Sequence, residues 1–178
     1  MSEYILAIDP GNVESAYVLL NEELKPIKFG KFLNEIMFAD ACDAINSCIK
    51  TDDILHVCIE MIASYGMAVG KEVFETCVWI GQLKERFERA KKKNDLSIGD
   101  IRFIYRKDEK MQICHSMRAS DANIIQALVD RFAPGQQNHG KGTKKDPGWF
   151  YGFRKDIWQA YAVGITYYDL YLRRNQDE

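Results

Sequence analysis

Residues 4–8 form a near-continuous apolar run that ends on one carboxylate, Asp9, and then on Pro10-Gly11-Asn12. A short apolar run without polar alternation suits a strand buried on both faces. The Pro-Gly-Asn step forces a tight turn. Residues 15–20 then resume as a second strand, so the opening predicts a hairpin. An acid at the mouth of a buried strand is costly unless something compensates it. A divalent cation is one compensator; a hydrogen bond from Asn12 or from the turn amides is the other.

A length of 178 residues predicts a single domain over 1–178, enough to bury a real core. Hydrophobic residues make up 47% and charged residues 28%, the balance of a globular chain. The formal net charge of −2 argues against a non-specific nucleic-acid binder but leaves room for a local basic face. Cys42, Cys48, Cys58, Cys77 and Cys114 have no metal-finger spacing, and an odd, scattered set favours a reducing compartment. No apolar run is long enough for a bilayer and no basic leader precedes the first strand, so the expected location is cytoplasmic, with no membrane partner.

Residues 27–33 read as a third strand, with Lys28 and Lys31 marking a sheet edge where charge blocks further pairing. Residues 39–49 carry a helical stripe of Ala41, Ala44, Ile45 and Cys48. Ile54–Met61 is a second buried-type strand, and it too delivers one acid near its end, Glu60. A helical crossover between the hairpin and this strand favours a parallel pairing with the first. Asp9 and Glu60 would then stand side by side at the sheet edge where α/β proteins build their sites. Adjacent carboxylates repel, so one must hold a proton unless a cation lies between them. Oxygen donors of this kind suit Mg²⁺ or Mn²⁺.

The spacing predicts a loop over 64–70 and a long helix to about 90, with Val69, Val73, Phe74, Cys77, Val78 and Leu83 on its apolar stripe. The basic run at its end reads as a solvated cap that suits the helix dipole, against a phosphate-binding role. Residues 101–105 form a fifth strand candidate. Ser120 is placed to cap a helix over 121–132, where Asp121 needs only a dipole explanation. Residues 134–154 are irregular. They combine glycines with Lys141, Lys144, Lys145 and the aromatics Trp149, Phe150, Tyr151 and Phe153. Two readings stand: a substrate loop in which bases stack on the rings, or a plain surface loop. The last helix spans 156–173. Asp156 and Gln159 share a face of its first turn, and Asp156 is either a dipole match or a third site carboxylate.

Taken together these pieces resemble the RuvC-like Holliday-junction resolvases of the RNase H-like superfamily. The anchors are Ile8-Asp9-Pro10-Gly11-Asn12, Ile59-Glu60, Ile80-Gly81-Gln82, Lys107 ahead of Ser120-Asp121-Ala122, and the run from Asp156 to Ala162. Compact size and the absence of net positive charge look more like phage-type members, so a phage-infected host is as fitting a setting as a bacterial cytoplasm. The resemblance implies an α/β, RNase H-like fold: a mixed five-stranded sheet, strand 2 antiparallel to strand 1, flanked by helices. It implies a homodimer that makes two symmetric nicks in four-way or branched DNA. It also implies two Mg²⁺ or Mn²⁺ ions at Asp9, Glu60, Asp156 and Gln159, with Asp9, Glu60 and Asp156 catalytic. The family shows Asp or His, two residues, then Asp at the start of the last helix; here the second place is Gln159, a neutral oxygen donor. Lys107, Lys110 and Arg118 are candidate phosphate contacts, Lys141, Lys144 and Lys145 further DNA contacts, and Tyr65 a substitute for the family's aromatic wedge.

Three other readings start from the same residues. A sugar-kinase or actin-like protein needs a second similar domain, which this chain has no room for. An RNase H-type nuclease on RNA–DNA hybrids uses the same acids. A junction-binding module that does not cut is motivated by Gln159.

Overall fold

The computed structural model describes residues 1–64, 66, 68–93 and 96–173. Five strands, β1 (Glu3–Asp9), β2 (Glu14–Leu20), β3 (Pro26–Leu33), β4 (Ile54–Met61) and β5 (Ile98–Tyr105), form a sheet in the order β3-β2-β1-β4-β5. β2 runs antiparallel to β1 and to β3, whereas β4 runs parallel to β1 and β5 parallel to β4. The helices are α1 (Asn34–Cys48), α2 (Lys71–Lys93), α3 (Arg106–Cys114), α4 (Asp121–Phe132) and α5 (Lys155–Tyr167), which runs on into a π-helical turn (Tyr168–Leu172). Among the described residues no helix is long and apolar enough to cross a membrane.

Period-2 alternation along the central strands supplies two cores. Leu6, Ile8, Tyr17, Leu19, Val57 and Ile59 face α1 and α2. Ile5, Ala7, Ala16, Val18, Leu20 and Cys58 face α4 and α5. This two-sided burial is why β1 and β4 read as continuous apolar runs. α5 lies so close to the sheet at Gly164 that a Cβ there would come within 2.8 Å of Leu20 and 3.1 Å of Ala7. β3 is the edge strand the two lysines pointed to, with Lys28 and Lys31 solvent-facing.

Several elements differ from the sequence expectation. α1 starts at Asn34, directly off β3, and β5 starts at Ile98. α3 was not anticipated at all. The buried face of α2 is Thr76, Trp79, Ile80, Leu83 and Phe87, while Phe74 and Val78 are exposed. The stripe is thus rotated from the expected one because polar Thr76 sits in it, its hydroxyl bonded back to the Glu72 carbonyl at 2.8 Å. Ser120 does cap α4, accepting from the Asn123 amide.

At the sheet end remote from Asp9, His56 is buried beside Tyr167, whose hydroxyl lies 2.9 Å from Nδ1. Burial pushes the imidazole below its usual value, against the opposing charges of Glu3 and Asp100. A neutral folded-state His binds fewer protons than the unfolded chain below about pH 6.5, so its stabilisation falls as the pH drops through that value. His56→Gln is therefore expected to lose less Tm than the wild type between pH 7 and pH 5 in a thermal melt. Parallel pH profiles of the two proteins would contradict this.

Candidate active site

β1 and β4 end together. Ile8 pairs with Ile59 across the parallel ladder, so the next residues, Asp9 and Glu60, emerge side by side. The two carboxyls lie close enough for each to act on the other. Burial pushes Asp9 well above the usual carboxylate range, and Glu60 and the charge of Asp156 add to the rise while Arg106 opposes it. Burial raises Glu60 as well, with Asp9 and the charge of Arg106 pulling it back.

The turn after Asp9 is held from three directions. The Ser15 hydroxyl donates to Asn34 Oδ1 at 2.7 Å and accepts from the Gly11 amide at 3.2 Å and from Trp79 Nε1 at 3.0 Å. Asn34 Nδ2 donates to the carbonyls of Gly11 and Asn12 at 3.0 and 3.3 Å. Position 11 must be glycine, because a Cβ would stand 2.3 Å from the Glu14 carbonyl oxygen. Asn12 donates to Glu75 at 3.3 Å and the Gly11 amide is spent on Ser15. Neither Asn12 nor the Gly11 amide is thus given to the Asp9 carboxyl.

Asp156 stands in the first turn of α5, close enough for its charge to act on Asp9. Its Oδ2 is 2.6 Å from Lys31 Nζ, which also lies 3.1 Å from Glu14. Lys31 reaches it from β3 because Lys31 pairs with Ala16 and Ala16 with Asp9 across the ladders. One turn into α5, Gln159 has a buried Oε1 with no hydrogen-bond partner.

Sequence reasoning missed the other half of this edge. β5 ends beside β4, and α3 begins at once with Arg106. Arg106 is ion-paired to Glu109, one turn on, and to Asp121 at the start of α4. Glu109 is fully buried, and burial raises its carboxyl well above the usual range, with the charges of Glu60 and Asp9 adding and Arg106 opposing. Its Oε1 is without a partner. The signal available in the sequence was the Arg106–Glu109 spacing of three, a helical ion-pair spacing.

Lys107 and Lys110 lie on α3 and Arg118 in the α3–α4 turn, with Lys107 and Arg118 exposed. The structure does not bring Lys141, Lys144 and Lys145 to the acid edge. Their loop adjoins Lys25, in the β2–β3 turn, where Leu20 pairs with Ile5 at the opposite end of the sheet. Of the four rings in that loop, Phe150 and Phe153 are buried and Trp149 stacks on Phe132 and donates to Tyr161 Oη, while Tyr151 is exposed. Tyr65 lies outside the described residues.

The side chains gathered here offer oxygens, and the Oε1 atoms of Glu109 and of Gln159, one turn on from Asp156, are buried and unpaired. That donor chemistry fits a hard divalent cation. Among the described residues, however, no three Asp, Glu, His or Cys side chains are gathered closely enough to enclose one as they stand. Asp156 is turned to Lys31.

No family model matches the sequence, and no curated protein matches it significantly. Solved structures do match. RuvC of Thermus thermophilus superposes with a TM-score of 0.62 over 97% of this chain and 96% of its own, at 11% identity. The fold is that of RuvC. The same protein in complex with a Holliday junction substrate gives a TM-score of 0.61 at 12% identity. The yeast mitochondrial Holliday junction resolvase Ydc2 gives 0.53 at 12% identity, over 97% of this chain and 83% of its own. The mixed sheet with its antiparallel second strand and flanking helices is thus a RuvC-like, RNase H-like arrangement.

Proposed function

We propose that this chain is a structure-selective DNA endonuclease that resolves four-way or branched junctions, with 1–178 as one nuclease domain. The observation that carries the reading is the adjacent Asp9–Glu60 pair at the common end of two parallel strands, beside Asp156, in a fold shared over nearly the whole chain with RuvC.

Asp9, Glu60 and Asp156, with Gln159 Oε1 as a neutral donor, would hold one or two Mg²⁺ or Mn²⁺ ions. Bound cations supply activation of a water for attack on phosphorus and neutralisation of charge at the leaving 3′ oxygen. The P–O3′ bond breaks as a new P–O bond to water forms, leaving 5′-phosphate and 3′-hydroxyl ends. The chain's own part is to present Asp9 and Glu60 together at one sheet edge and to release Asp156 from Lys31. Lys107, Lys110 and Arg118 meet backbone phosphates next to the cut. Lys141, Lys144 and Lys145, at the far end of the sheet, reach only DNA that runs along the protein away from the acids. Tyr65, five residues past Glu60, is the candidate wedge. Two symmetric nicks need two sites, so the acting species is a homodimer.

A second reading has a specific observation behind it. With Asp156 held by Lys31 and no three acids enclosing a cation, the chain could bind junctions without cutting them. Purified protein and a labelled four-way junction, with Mg²⁺, Mn²⁺ or EDTA, decide between them. Paired, metal-dependent nicks bearing 5′-phosphates are expected, with linear duplex and RNA–DNA hybrid left intact. Binding without nicks in either metal supports the second reading; cutting of the hybrid alone moves the activity to the RNase H class.

A further inference from the structure

Glu109 poses a problem the nuclease reading leaves open. It is a carboxylate at 0% exposure, on the buried side of α3, with one oxygen bonded to Arg106 and the other bonded to nothing. A buried acceptor without a partner costs on the order of 1–3 kcal/mol, more when the group is charged, and calls for a reason such as an absent ion or water. Packing supplies none, since α3 could bury an apolar side chain at that place at lower cost. Arg106 does not need Glu109 as its only anion, because Asp121 holds its other nitrogen. Glu109 is therefore oriented by Arg106 through Oε2, with Oε1 buried and unpaired, and it lies near enough to Glu60 and Asp9 for their charges to act on it. The start of α5 adds one acid, Asp156, and one turn on the neutral Gln159.

We propose that Glu109 is the fourth acid of the site: through Oε1 it supplies, toward the divalent cation or the water the cation carries, the negative charge that Gln159 lacks. Mg²⁺ keeps several of its waters when protein-bound, so a carboxylate beyond direct reach of the metal still acts on it by accepting from those waters. Arg106 is then a positioning residue, fixing the rotamer of Glu109 and held in turn by Asp121. This inference rests on the proposed cation-dependent nuclease site, and its test separates the two.

The experiment measures Mn²⁺ binding to the DNA-free protein by electron paramagnetic resonance, in the wild type, Glu109→Gln and Glu109→Gln/Gln159→Asp. Glu109→Gln keeps size and removes charge; it is expected to weaken Mn²⁺ binding by about tenfold or more. Restoring an acid at position 159 in the double variant is expected to recover most of that loss, which a merely structural role for Glu109 would not allow. Should Glu109→Gln not fold, Glu109→Gln/Arg106→Met removes the whole buried pair and is read in its place, with the same tenfold loss expected. Wild-type binding with an unchanged Glu109→Gln, or a loss that Gln159→Asp does not recover, overturns this inference and leaves the nuclease reading standing. A wild type that binds no Mn²⁺ overturns both.

Discussion

Asp9→Asn is expected to abolish junction cleavage while making the protein more stable. Asp9 is held by the turn that Ser15, Asn34 and Trp79 fix, at the one point where Glu60 is also presented. Losing a carboxylate that holds the cation forfeits several kcal/mol of transition-state stabilisation. At 1.36 kcal/mol per tenfold, the cleavage rate falls by about a thousandfold or more. Junction affinity, read by gel shift, should stay within a few-fold, since phosphate contacts carry most of it. The stability effect has the opposite sign. A carboxyl raised well above its unfolded value costs stability once the pH exceeds the unfolded pKa near 4, and the cost is complete above the folded pKa. Asn removes that cost, so its Tm at pH 7 should exceed the wild type's by a few degrees, with the gap closing toward pH 4. Saturating Mg²⁺ should raise the wild-type Tm in the same way and leave Asp9→Asn nearly unmoved. Retained cleavage, or a lower Tm at pH 7, would sink this account of Asp9.

The pairing of Asp9 with Glu60 was legible because it follows from strand physics. Two apolar runs of buried type and a helical crossover between them leave little freedom over where their ends meet. The edge role of β3 was legible from Lys28 and Lys31, but that Lys31 also grips Asp156 was not, since it depends on a contact between β3 and α5 far apart in sequence. α3 was illegible because Arg106-Lys107-Asp108-Glu109-Lys110 has no apolar stripe. Five consecutive charged residues read as surface, and a fully buried Glu is rare without a partner. Its partner, Arg106, is outside the usual pattern search for apolar periodicity. α2 was found but turned, since Thr76 is a core residue that a hydropathy count passes over in favour of Phe74 and Val78. The irregular stretch before α5 misled for a related reason. Phe150, Phe153, Ile157 and Tyr161 recur every three or four residues, so the apolar stripe of α5 begins ahead of the helix itself.

That continuity makes Phe150→Ala the substitution with the largest expected loss of stability. Phe150 is fully buried, packed at 4.5 Å between ring centroids on Trp158, 5.2 Å on Phe153 and 5.2 Å on Tyr161. The Gly140 carbonyl accepts from its amide at 2.9 Å, and its ring lies 2.9 Å from where a Cβ at Gly140 would stand, so loop and ring close on each other. Truncating a buried Phe to Ala costs about 3–5 kcal/mol, which for a chain of this size lowers Tm by roughly 10 °C. The effect reaches the site. Phe153 packs edge-on against Phe29 of β3 and against Trp158, and α5 starts two residues later, so this aromatic cluster fixes where Asp156 meets Lys31. At a temperature where the variant remains folded, cleavage should therefore fall more than junction binding, because the acid on α5 is displaced while α3 keeps Lys107 and Lys110. If the loop instead served by stacking its rings on bases, Phe150→Ala would weaken junction binding and leave Tm within a degree or two. A melt and a gel shift on the same preparation separate the two outcomes.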